Sequence, residues 1–166
     1  MDYIDIKELA NIFNISKDEA YKVVLHRSNK NGIKIMHEVE GNIVIGDEYF
    51  NKILQHHDNI ESCVPDYQYV VENALTTVPF QRGAYVYFLL SNNKIVYIGQ
   101  SVTPAARIGK HIADGKEFDT AYVMDVEEAY MPAIELACIM RYLPEYSGSF
   151  TSGDRMLANR IDLALR

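Results

Sequence analysis

Cysteine, positive charge and long apolar runs are all scarce in this chain, and each shortage removes a class of function. The two cysteines, Cys63 and Cys138, stand far apart in 166 residues. They form neither a zinc spacing nor a disulfide framework, which points to a reducing, cytoplasmic compartment, with a buried thiol expected at each. No apolar run approaches the ~20 residues that span a bilayer, so no membrane is expected. The start, Met1-Asp2-Tyr3-Ile4-Asp5, lacks the basic stretch ahead of an apolar one that marks a signal peptide. Lys and Arg are outnumbered by Asp and Glu, 16 to 23, for a net charge of −7. Bulk charge therefore cannot hold nucleic acid; a local basic face would have to. Residues 61–79 contain no Lys or Arg at all and are poor candidates for touching phosphate. No internal repeat or low-complexity segment is visible.

Apolar residues are plentiful at 48%, enough for a packed core in one domain or two small ones. Residues 5–15 predict a short amphipathic helix. Asp5 and Glu8 have capping-box spacing, and Leu9, Ile12 and Phe13 share a face. After a turn at Asn14-Ile15, Ser16 and Glu19 repeat the capping-box spacing ahead of a second helix that buries Ala20, Val23 and Val24. Two short helices joined by a tight turn is a helix-turn-helix arrangement. The second helix carries Lys17, Lys22, His26 and Arg27, with Lys30 just beyond, a set that could enter a major groove. Asp18 and Glu19 argue instead for a merely solvated face. Ile33, Ile35 and Val39, then Glu40-Gly41-Asn42, then Ile43 to Ile45 predict a β-hairpin, and Asp47 to Leu54 a helix. Residues 1–55 thus look like a small winged helix-turn-helix.

Residues 56–80 read as a connector. His56-His57-Asp58 has no further ligand at zinc-like spacing and is expected to be a surface loop. Val70 to Thr77 predicts one more helix. From residue 83 the pattern changes. Tyr85 to Leu90 is a strand, Ser91-Asn92-Asn93 a turn, and Ile95 to Ile98 a second strand ended by Gly99. Pro104 opens a helix through Ile112, Ala121 to Met124 is a third strand, and Pro132 to Tyr142 a helix with Ile134, Cys138 and Ile139 on its apolar side. A last helix is expected from Gly153 to Leu165, carrying Met156, Ile161 and Leu163.

Tyr87 and Tyr97, ten apart across a short turn, can meet on one face of that hairpin. Alone they would be a packed aromatic pair. Arg107 and His111, four apart, share a helix face, and Glu135 sits in the first turn of another helix. Each has an ordinary structural explanation. Together they are what phosphodiester hydrolysis needs. A carboxylate can hold Mg²⁺, which keeps several waters, and a guanidinium can clamp a phosphate oxygen as charge builds. A tyrosine or histidine can take or relay the proton of water. A free phenol has a pKa of about 10, which a nearby metal and guanidinium would lower.

The stretches Val86 to Leu90, Lys94 to Ser101 and Ala106 to His111, then Glu135, then Tyr142-Leu143-Pro144-Glu145-Tyr146, resemble the core of the GIY-YIG nuclease family over residues 83–147. Two positions depart from the family pattern. Tyr85 replaces a glycine, and Ser147 replaces an asparagine. The resemblance implies an α+β fold with a small, mostly antiparallel three-stranded sheet flanked by helices, here following a winged helix-turn-helix-like amino-terminal domain. It implies Tyr87 or Tyr97 as general base, Arg107 on the phosphate, His111 in proton handling, and Glu135 as ligand of Mg²⁺ or Mn²⁺. The expected domains are 1–55 for DNA binding, 56–80 as connector and 81–166 for cleavage, with Lys110 a further DNA contact. The expected activity is metal-dependent endonuclease action on DNA. A single site cuts one strand, so double-strand cleavage needs a homodimer or two successive nicks. The alternatives are a non-catalytic DNA-binding regulator and a protein-interaction module.

Overall fold

The computed structural model describes residues 3–32 and 34–144. The expectations for Ile33, for the Lys30 side chain, for Glu145 to Ser147 and for a helix over 153–165 lie outside the described residues. Within those residues the fold is α+β, with seven α-helices and two antiparallel three-stranded sheets. No helix among them is long and apolar enough to cross a membrane. The chain divides into two compact units, which break between Gln55 and His56.

The first unit opens with β1 (Ile4–Asp5), α1 (Ile6–Phe13) and α2 (Lys17–Asn31). Asp5 caps α1 by accepting from the Lys7 amide at 2.8 Å, one residue short of the expected Glu8. At α2 the capping box forms in full, Glu19 N–H to Ser16 Oγ at 3.0 Å and Ser16 N–H to Glu19 Oε1 at 2.9 Å. The turn between them needs Asn14 at φ 52, a left-handed backbone that asparagine tolerates. Strands β2 (Met36–Val39) and β3 (Asn42–Ile45) form the expected hairpin. Its two-residue loop puts Glu40 and Gly41 at φ 51 and 79, the twist that suits paired strands. Strand β1 pairs on the far side of β3, in the order β1-β3-β2. Leu9, Val24, Ile45 and Phe50 form a core sealed from solvent. Each such side chain contributes about 1.5–3 kcal/mol.

Helix α3 (Glu48–Gln55) is anchored by Asp47. One carboxylate accepts from the Tyr49 and Phe50 amides and also takes two hydrogen bonds from the Arg27 guanidinium, at 3.0 and 3.1 Å. Arg27 also lies over the Tyr49 ring. It works inside the fold, and its fork is not the outward DNA contact expected of it.

The second unit begins with α4 (His57–Glu61) and α5 (Tyr67–Asn73). The stretch expected as a connector is therefore part of this unit. His56-His57-Asp58 opens a helix where a loop was expected, and the helix expected over 70–77 lies earlier. Glu61 pairs with Arg141, the Tyr142 hydroxyl donates to the Pro65 carbonyl, and Leu75 exchanges two backbone bonds of 2.8 Å with Ala121. Cys138 is buried as expected, but Cys63 is exposed, because α4 ends there at the surface.

Strands β4 (Tyr85–Ser91), β5 (Lys94–Ser101) and β6 (Thr120–Asp125) pair in the order β5-β4-β6. Every residue from Tyr85 to Leu90 is buried, as befits a central strand covered on both faces. The β4–β5 loop is Asn92-Asn93 at φ 50 and 65. Helix α6 (Pro104–Ala113) contributes Ile108 to a cluster with Tyr87 and Leu89. Helix α7 (Met131–Tyr142) brings Tyr142 to Phe88, the neighbour of Tyr87 that points to the opposite face.

Register in the β4–β5 hairpin decides where the tyrosines go. Next to the loop, Ser91 faces Lys94 and Leu90 faces Ile95. Continued without a break, that register would set Phe88 opposite Tyr97 and turn Tyr97 away from Tyr87. A bulge at Val96 intervenes, so Leu89 faces Tyr97 and Tyr87 faces Gly99. One extra residue moves Tyr97 onto the Tyr87 face.

Candidate active site

Five side chains singled out in the sequence meet in the second unit, carried by β4, β5, α6 and α7. Tyr87 and Tyr97 stack with ring centres 5.9 Å apart. The Tyr87 hydroxyl lies 2.8 Å from His111 Nε2, and the Tyr97 ring centre is 4.3 Å from that of His111. Arg107, one turn before His111 on α6, acts on both phenols by its positive charge. Glu135 on α7 acts on Tyr97 by its negative charge.

Gly99 leaves the room for this. A Cβ there would lie 2.5 Å from the Tyr87 hydroxyl oxygen, 2.6 Å from its Cζ and 2.7 Å from Tyr97 Cε1. The missing side chain is what lets the Tyr87 ring lie across β5 and reach both Tyr97 and His111.

Burial grades the cluster from inside to outside. Tyr87 is fully enclosed, His111 and Glu135 are buried, and Tyr97 and Arg107 are half-buried. Burial pushes the Tyr87 phenol well above the ordinary value. The negative charge of an ionised Tyr97 adds to this, and Arg107 opposes it. Tyr97 is raised too, first by burial and then by the Glu135 carboxylate, while the neighbouring Tyr87 hydroxyl and the Arg107 charge pull it down. The guanidinium acts in the direction expected from the sequence, but desolvation outweighs it. Both phenols are therefore neutral at physiological pH.

The donors near Tyr97 are a carboxylate, phenolic oxygens and the His111 ring. No three His, Cys, Asp or Glu among the described residues gather into a cage. The Glu135 carboxylate is the group there that fits a hard cation, held by one protein carboxylate and otherwise by water and substrate, as Mg²⁺ prefers.

The remaining predicted residues lie elsewhere. Lys110 is exposed on α6. In the first unit, Lys22 is exposed and Lys17 and His26 are half-buried on α2. Sequence reasoning missed Lys116, whose ammonium lies 5.4 Å from the Tyr97 ring centre. The signal for it was Gly115, a glycine at the end of a predicted helix, which turns the chain back on itself.

Compared with family models, with curated proteins and with solved structures, the chain matches nothing.

Proposed function

We propose that the second unit is a GIY-YIG-type nuclease core that hydrolyses DNA phosphodiester bonds with Mg²⁺ or Mn²⁺. The first unit, on this reading, is a winged helix-turn-helix that selects the DNA. The observation that carries the reading is the convergence of Tyr87, Tyr97, Arg107, His111 and Glu135 from four separate elements.

The grading of burial supports a particular division of labour. Tyr97 is the phenol nearer solvent and faces the attacking water. Tyr87 stands behind it, its ring stacked on that of Tyr97 and its hydroxyl hydrogen-bonded to His111. As water attacks phosphorus, Tyr97 takes its proton and passes its own to Tyr87. Tyr87 passes its own to His111 Nε2. Water oxygen forms the new P–O bond, the old bond to the leaving sugar oxygen breaks, and that oxygen takes a proton from solvent. No phenolate has to persist, which suits two phenols whose ionisation burial opposes. Arg107 holds a non-bridging oxygen as its charge grows. Glu135 would hold the metal, which supplies positive charge to the phosphate and to the leaving oxygen.

In the first unit, the hairpin tip exposes Glu38 and Glu40, so phosphate contacts fall to α2 rather than to the wing. The enclosure of Tyr87 favours a second reading, a DNA-binding regulator with a closed and inactive core. One experiment separates the two. Supercoiled plasmid is incubated with the protein, with and without Mg²⁺, alongside Glu135→Gln. Metal-dependent nicking that falls at least about 10²-fold in the variant supports the enzyme. Binding without nicking, across Mg²⁺ and Mn²⁺, refutes it in favour of the regulator.

A further inference from the structure

Helix α6 ends in a turn that reverses the chain. Gly115 takes φ 84, its amide donates to the Ile112 carbonyl at 3.1 Å, and the Lys116 amide donates to the His111 carbonyl at 3.1 Å. This paired closure over a left-handed glycine is a Schellman-type end. It folds Lys116 back toward the helix, beside the residue that contacts Tyr87. The ammonium then stands 5.4 Å from the centre of the Tyr97 ring. Its stem is half-buried and borders an open groove of about 640 Å³ with Ile108, Ile112 and Phe118. The charge is held in place yet reachable from outside.

We propose that Lys116 is a substrate-strand anchor, binding a phosphate that flanks the one being cut. This rests on the nuclease reading and extends it to a residue outside the five-residue set. The chain carries −7, so a nucleic-acid strand is repelled except where cations are gathered. Helix α6 gathers them along its length, with Arg107 near its start, Lys110 exposed farther along and Lys116 just past its end. Ten helical residues span about 15 Å, and one strand of duplex DNA advances about 3.4 Å per nucleotide. Arg107 is the fourth of them, so about 9 Å of helix, between two and three nucleotides, lies beyond it, enough for Arg107 to hold the scissile phosphate while Lys116 holds a neighbour. A lysine is a compact point charge suited to a phosphate oxygen. The contact positions the strand without reading its bases.

The test uses the full chain and plasmid cleavage in Mg²⁺, with KM followed from 50 to 200 mM salt. Wild type, Lys116→Met and Lys116→Arg are compared. Lys116→Met keeps the stem and loses the charge. It should raise KM, and the slope of log KM against log salt should fall by about 0.9, so that the penalty across this range shrinks about 3.5-fold. kcat should stay within about 2-fold, because the contact exists before and during the chemical step. Lys116→Arg should restore the slope. A lysine that only braces the Tyr97 ring would instead lower kcat and melting temperature and leave the slope alone. An unchanged slope in Lys116→Met overturns the proposal while leaving a cutting wild type intact as a nuclease. A wild type that neither binds nor cuts nucleic acid overturns both.

Discussion

Gly99→Ala tests the geometry most directly, because it adds one methyl group at the tightest point of the site. The new Cβ would stand 2.5 Å from the Tyr87 hydroxyl oxygen, where ordinary contact begins at 3.4 Å. The ring must withdraw by about 0.9 Å, and the surrounding core gives it little room because interiors are close-packed. A shift of that size would stretch the 2.8 Å contact with His111 beyond hydrogen-bonding range. Overpacking of this kind costs about 1–3 kcal/mol, and in a unit of this size each kcal/mol lowers the melting temperature by about 4–8 °C. A misplacement of about 1 Å in a catalytic group costs about 10²-fold in rate. Gly109 provides the control. It lies within α6 and nothing approaches a Cβ built there. Gly109→Ala should therefore stabilise by about 0.5–1 kcal/mol, because the folded helix accepts the methyl and the unfolded chain loses freedom. Thermal unfolding followed by circular dichroism, with plasmid nicking on the same samples, reads both. The reasoning fails if Gly99→Ala melts with wild type and cuts at the wild-type rate.

Alkaline unfolding should report the enclosed phenols. Burial raises the folded-state pKa of Tyr87 above the ordinary value of about 10, so its stabilising effect is complete below about pH 10 and is lost as pH rises toward the folded value. In that window each such phenol removes about 1.4 kcal/mol per pH unit, and Tyr87→Phe should flatten the fall by about that much in denaturant titrations from pH 9 to 11.5. Equal slopes in the two proteins would mean that Tyr87 is solvated. In the first unit, Asp47→Ala removes the α3 cap and the ion pair with a mostly buried Arg27. The loss should be about 3 kcal/mol, read as a drop of 10 °C or more in that unit's melting, and a shift of only a degree or two would refute the anchor role.

What the sequence made legible was what is encoded locally. Ser16 and Glu19 cap α2 because both partners sit within one turn. Glu40-Gly41 and Asn92-Asn93 make two-residue loops because their backbones enter the left-handed region. The five residues that converge in the second unit could be picked out together because order along the chain survives folding. Long-range choices were hidden. Nothing near Leu75 announces its pairing with Ala121, and nothing near Arg27 announces that Asp47, twenty residues on, would claim its fork.

The hairpin shows how one hidden residue changes the chemistry. A spacing of ten residues places Tyr87 and Tyr97 on the same face only with the bulge at Val96, and no residue type there signals a bulge. Once on that face, the Tyr87 ring needs the bare backbone of Gly99 and lies wholly inside the unit. Enclosure then takes away the phenolate that a tyrosine base would need, since desolvation outweighs the Arg107 charge. On the proposed nuclease reading, the 2.8 Å contact with His111 would supply a destination for the proton in its place. Bulge, glycine, burial and histidine therefore belong to one argument. A tyrosine placed this deep is useful in proton transfer only if a base stands behind it, and His111 stands there.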